Sequence, residues 1–137
     1  MAIELIDIPG VDIPANARWQ VKLLSADGDL RLLKTLKEWS IKNRDEYKKL
    51  LKAIKVTSSL EKNPNITQVK PCGNEKIKDV YEFISYGAKL RILFFYERIE
   101  NKLIICTNTF DKSGDQNSSF IRCHNLREEY LKSQKSI

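Results

Sequence analysis

The sequence predicts an α+β fold in which an N-terminal strand and a helical hairpin pack on a four-stranded antiparallel sheet closed by a C-terminal helix. Apolar residues recur at helical spacing between about 29 and 61, and the rhythm then switches to short runs of β-formers up to Thr109. Helical spacing returns after Ser118. At 137 residues the chain fits one domain, which can bury about two thirds of its unfolded surface without a staple.

In chain order, Ile3 to Ile8 could form a short strand, but Pro9-Gly10 and Pro14 break the segment after it into turns. Residues 1–18 are therefore expected to be a lead-in appended to a domain spanning 19–131. Trp19 to Leu24 reads as a first core strand, and Asp27-Gly28-Asp29 supplies a turn and a helix N-cap. Leu30, Leu33, Leu36 and Trp39 form one helical stripe, and Tyr47, Leu50, Leu51 and Ile54 form another after a break near Asn43. This predicts helices over about 29–42 and 44–61, ended by Asn63-Pro64-Asn65. Lys48, Lys49, Lys52 and Lys55 fall on the outer side of the second helix and read as a solvated face.

Ile66 to Lys70, Val80 to Ser85, Leu90 to Arg98 and Leu103 to Thr109 read as successive antiparallel strands, separated by turn residues such as Cys72-Gly73-Asn74 and Tyr86-Gly87. Ile92 to Tyr96 and Leu103 to Cys106 are apolar on both faces, so they belong in the middle of the sheet with cover on each side. Ser118 or Ser119 can cap a last helix striped by Phe120, Cys123, Leu126 and Tyr130, and residues 132–137 are expected to fray.

Composition narrows the function classes. Hydrophobic residues at 42% and charged residues at 31% exclude a disordered tail. Three cysteines, odd in number and without a C-x-x-C pair, argue against a disulfide framework, and a single histidine cannot build a His/Cys zinc cluster. The apolar runs fall far short of the roughly 18 residues of a membrane span, and Met1-Ala2-Ile3-Glu4 does not open a signal peptide. A reducing cytoplasm is the expected home. The formal charge of +6 favours a polyanionic partner through counterion release, although a merely soluble surface would carry the same sign.

Four local phrases go further: Val80-Tyr81-Glu82-Phe83, then Gly87 with Lys89-Leu90-Arg91-Ile92-Leu93-Phe94-Phe95-Tyr96, then Thr109-Phe110-Asp111-Lys112, and Leu126-Arg127-Glu128-Glu129-Tyr130-Leu131. In this order they resemble the HigB-like, phage-protein-related branch of the RelE/ParE superfamily, the toxins of type II toxin–antitoxin systems, over about Trp19 to Leu131. The resemblance implies a RelE-like fold and a ribosome-dependent mRNA endoribonuclease that uses neither metal nor cofactor. It also implies a cognate antitoxin, with which the toxin forms a hetero-oligomer. In such enzymes a cation stabilises charge developing on the phosphorane while other groups move protons to and from the ribose and leaving oxygens.

By the same resemblance Arg91, Lys112 and His124 would be catalytic, and Lys89, Arg127 and Tyr130 would hold substrate. Arg91 stands in an otherwise apolar strand, where a charge must face a site or pair with a carboxylate such as Glu82. Lys112 could hold phosphate, though Ser113-Gly114-Asp115 replaces the second basic residue of the family loop. Histidine as a residue type is chemically apt for proton transfer, which suits His124 to that role, but a lone helical histidine also serves structure. Tyr130 shares a stripe with Cys123 and Leu126 and equally fits a core. Asp111, Ser113 and Asp115 would suit a rival in the same fold, a gyrase-directed or antitoxin-binding module without nuclease activity. An unrelated basic α/β protein is the remaining alternative.

Overall fold

The computed structural model describes residues 2–59, 69–72, 77, 79–85, 90–97, 102–109 and 116–135. These form β1 (Ile3–Asp7), β2 (Gln20–Ala26), α1 (Arg31–Lys42), α2 (Arg44–Ser58), β3 (Val69–Cys72), β4 (Val80–Ser85), β5 (Leu90–Glu97), β6 (Leu103–Thr109) and α3 (Gln116–Lys135). The fold is α+β, with one mixed sheet in the order β1-β2-β6-β5-β4-β3.

The sheet is thus six-stranded and mixed where the sequence predicts four antiparallel strands. The difference lies at β6, whose Ile104 and Cys106 face one layer while Leu103 and Ile105 face the other. A strand apolar on both faces belongs inside a sheet with a neighbour at each edge. β5 occupies one edge antiparallel, and β2 takes the other in parallel, Gln20 opposite Leu103 through Leu23 opposite Cys106. β1 then covers the outer edge of β2 in antiparallel register. Residues 1–18 are therefore no appendage: β1 extends the sheet, and Ile8 is buried in the main core with Val11 and Ile13 against it.

The period-two alternation of the strands separates two cores. Val21, Leu23, Ile92, Phe94 and Ile104 face the α1–α2 hairpin, which buries Leu36, Tyr47, Leu50 and Ile54 against them. Truncating any such fully buried aliphatic to alanine costs about 2–5 kcal/mol. Within this layer Phe83 stacks on Phe94 at 4.1 Å, and Trp19 meets Tyr96 at 4.9 Å. On the other face Leu24, Phe95 and Ile105 pack against Leu126 and Tyr130 of α3, while Val80 and Leu93 pack against Cys123. α3 is helical to Lys135, so most of the segment expected to fray continues the helix.

A β-bulge adjusts this alternation. Leu93 opposes Asn108 and Phe94 opposes Cys106, leaving Thr107 as the extra residue on β6. Beyond the bulge Asn108 lies opposite Leu93, and its amide donates to the Ser119 carbonyl at 3.1 Å. The bulge thus ties the end of β6 to the beginning of α3.

Candidate functional site

Because β2 and β6 run parallel, their C-terminal ends lie together, close to the starts of α1 and α3. At this end lies a cleft of about 550 Å³, lined by Asp29, Arg31, Thr35, Thr107, Ser119 and Arg122 among others. Crevices outside strand C-terminal ends, flanked by helix starts, are common ligand sites.

The turn after β2 builds one wall. Asp27 and Gly28 both have positive φ (+53° and +76°) and the Asp29 N–H donates to the Ala26 carbonyl at 3.0 Å, as in a type I′ turn. Asp29 is carried to the start of α1, where its carboxylate accepts from the Arg31 N–H at 3.0 Å and from the Arg31 guanidinium. The cap position itself is Leu30, one residue beyond the expected Asp29. From α3, Arg122 reaches the same carboxylate at 3.2 Å, 93 residues away in sequence. The Arg31 hydrogen bonds, side-chain first, hold the Asp29 carboxyl at about 2, so it is charged at neutral pH and a feeble base. Two guanidinium groups on one carboxylate leave a surplus positive charge beside threonine and serine hydroxyls. That arrangement suits a phosphate or carboxylate rather than proton transfer.

Those sequence-predicted site residues that the structure describes lie elsewhere, on the α3 side of the sheet. Arg91 projects to the same face as Leu93 and pairs with Glu82 of β4, Nη1 to Oε1 at 3.4 Å. The Glu82 side chain is 2% exposed and that of Arg91 31%, so the pairing that the sequence allowed as an alternative is present. On α3, Arg127 bridges Asp79 at 3.3 Å and Glu128 at 3.1 Å. His124 stands with its Nε2 3.9 Å from the same Glu128 oxygen, and its buried Nδ1 has no hydrogen-bond partner among the described residues. Asp79 is held at φ +62°, a left-handed conformation that aims its carboxylate from the start of β4 at α3.

Tyr130 corrects the sequence reading of substrate-binding residues: it is 2% exposed and packs on Phe95 at 5.7 Å, inside the core. The helical stripe that carries it also carries Cys123 and Leu126, and burying that stripe against the sheet removes the ring from any surface a substrate could reach. Lys89 and Lys112 lie outside the described residues. Cys106 and Cys123 are buried, which raises both thiols, that of Cys123 to about 12, so neither is a nucleophile at neutral pH. Among the described residues no three His, Cys, Asp or Glu side chains cluster as metal ligands, and no helix is long and apolar enough to cross a membrane.

Sequence reasoning missed Arg31 and Arg122. The available signal was Asp29-x-Arg31 at a helix start, a spacing that invites a carboxylate-guanidinium contact, but nothing local announces Arg122 as the second cation. Comparison of the chain with protein-family models, with curated proteins and with solved structures returned no match.

Proposed function

We propose that this chain is a RelE/ParE-like toxin that acts on mRNA at the ribosome and is held inactive by a partner antitoxin. The observation that carries the reading is the cleft at the C-terminal ends of β2 and β6, where Arg31 and Arg122 converge from different helices beside hydroxyl side chains. In-line attack of a ribose 2′-hydroxyl on its neighbouring phosphate needs charge stabilisation on the phosphorane and a group that moves a proton. Arg31 and Arg122 supply the first, and the hydroxyls of Thr35 and Ser118 line the same cleft as groups able to relay a proton. The element order, with a helical pair before the last four strands and a helix after them, agrees with the motif resemblance.

A second reading, a binding module of the same kind without cleavage, is favoured by a specific observation. Arg91 is engaged by Glu82, Arg127 by Asp79 and Glu128, and Arg31 and Arg122 by Asp29. The deciding experiment is expression in bacteria with growth and mRNA integrity followed together, then cleavage by purified protein with and without ribosomes. Ribosome-dependent cleavage that falls at least tenfold in Arg122→Ala supports the nuclease. Growth arrest without cleavage selects the binding module, and harmless expression with intact mRNA refutes both.

A further inference from the structure

We propose that a basic groove at the opposite end of the β2–β6 pair is a docking surface for the phosphodiester backbone of RNA. The groove has a volume of about 890 Å³ and is lined by Arg18, Lys52, Lys55 and Lys102, with Pro14 and Val56 as its main apolar contributions. Among the described residues no carboxylate lines it. On a chain whose formal charge is +6, four cations in one concavity concentrate positive potential where low-dielectric walls focus it.

The groove is built, not incidental. α2 buries Tyr47, Leu50, Ala53 and Ile54, and that same periodicity turns Lys52 and Lys55 outward, three residues apart on neighbouring turns. The Trp19 N–H donates to the Ser58 carbonyl at 2.8 Å, and the Gln20 N–H donates to the Lys102 carbonyl at 3.1 Å. These bonds fasten the end of α2, the start of β2 and the residue before β6 into one floor. The Gln20 amide donates to the Pro14 carbonyl at 2.9 Å and holds the remaining wall. Lys102 keeps a left-handed backbone (φ +51°), a conformation that a lysine adopts only when its surroundings impose it. Among the described residues Lys52, Lys55 and Lys102 form no ion pair, unlike the arginines of the cleft.

The lining selects the occupant. A helical peptide would need apolar anchors at successive turns, and this groove offers little more than Val56 and Pro14. Its described lining also lacks an aromatic ring on which a base could stack, so it grips a backbone of point charges without reading sequence. The charge requires only a phosphodiester; the choice of RNA over DNA rests on the proposed action on mRNA. The seven-residue β2 separates groove and cleft by roughly 20 Å at about 3.3 Å per residue, so one RNA can engage both.

The test is binding of a fluorescent, unstructured 20-nucleotide RNA across a salt series, with a DNA strand of the same sequence and a polyglutamate peptide as competing probes. The groove variant Lys52→Ala/Lys55→Ala/Lys102→Ala removes three phosphate contacts. It should flatten the slope of log K against log salt by about two and weaken RNA binding near 0.1 M salt by roughly a hundredfold. The control Lys34→Ala/Lys37→Ala/Lys42→Ala removes the same charge from α1 and should move neither quantity by more than a third as much. Equal melting temperatures certify both folds. Equal losses in the two variants, or an unchanged slope in the groove variant, overturn the proposal, as does a groove-dependent loss confined to polyglutamate. A groove-dependent loss on DNA but not RNA rejects RNA as the occupant. Because binding and not cleavage is read, an inactive wild-type protein bears on the nuclease reading alone.

Discussion

Arg91→Ala should destabilise the protein before it says anything about catalysis. The Arg91 and Glu82 charges lie 3.4 Å apart; at an effective dielectric of about 20, their gross attraction is about 5 kcal/mol. Desolvation opposes that gain, and the partial exposure of Arg91 screens it. Removing one partner, however, leaves the Glu82 carboxylate in the interior with a lost counter-charge, which typically costs about 3–5 kcal/mol. The lower end, about 3 kcal/mol, applies to a contact of this length and exposure, and corresponds to a fall in melting temperature of roughly 10–15 °C for a domain of this size. Arg91→Lys should restore part of the loss, and the double variant Arg91→Met/Glu82→Leu most of it, because an apolar pair needs no counter-charge. Thermal melts and ribosome-dependent cleavage measured on the same preparations separate structure from chemistry. A melting temperature for Arg91→Ala within 2 °C of wild type, joined to a hundredfold loss of cleavage per folded molecule, would refute the structural assignment and restore Arg91 as the phosphorane-stabilising cation.

Three further outcomes are expected from the geometry. The folded value of Asp29, about 2, lies below its ordinary 3.8, so its contribution is complete above that ordinary value and lost as the pH falls through the folded one. After allowance for partial exposure this amounts to about 1 kcal/mol, and urea titrations at pH 6 and pH 2.5 should show Asp29→Asn losing that acid-dependent increment. Tyr130→Ala should cost about 3–5 kcal/mol because the ring fills the core under α3, and an unaltered melting curve would place Tyr130 outside it. Iodoacetamide at pH 8 should leave Cys106 and Cys123 unlabelled in the native protein and label both in urea, as peptide mass mapping can resolve.

Much of the layout is legible from periodicity. The limits of β4 and β6 coincide with the expected runs, and both stripes of the helical pair lie where apolar spacing places them. Partnership between strands is another matter. Alternation along Ile3 to Asp7 identifies a strand but carries no information about which edge it will occupy, so β1 reads as an appendage. Likewise nothing within Trp19 to Leu24 reveals a parallel neighbour some eighty residues later, since pairing is decided by which edges the rest of the sheet leaves open. The bulge at Thr107 is invisible for a related reason: it exists only relative to β5. Of the site, the oddity of Arg91 is readable as a charge in an apolar strand, and both of its explanations come from chemistry. The convergence of Arg31 and Arg122 on Asp29 is not, because it is a tertiary contact between helix starts that share no local pattern.

The parallel contact between β2 and β6 also governs how the chain can be made. Gln20 pairs with Leu103, a separation of 83 residues. During synthesis the β1–β2 pair emerges before the other strands, yet its inner edge has no partner until the last described strand, β6, has emerged. Closing so long a loop is slow, and native topology rich in such distant pairings lowers folding rates. For that interval Val21 and Leu23 stand at an open strand edge, the kind of surface that recruits other chains. The α1–α2 hairpin is complete well before β6 and can shelter those side chains on one face, but it cannot satisfy the backbone edge. The nascent protein therefore passes through a window in which a holding chaperone, or a co-expressed partner able to lend a strand, would raise its yield, and shortening the delay by circular permutation would do the same.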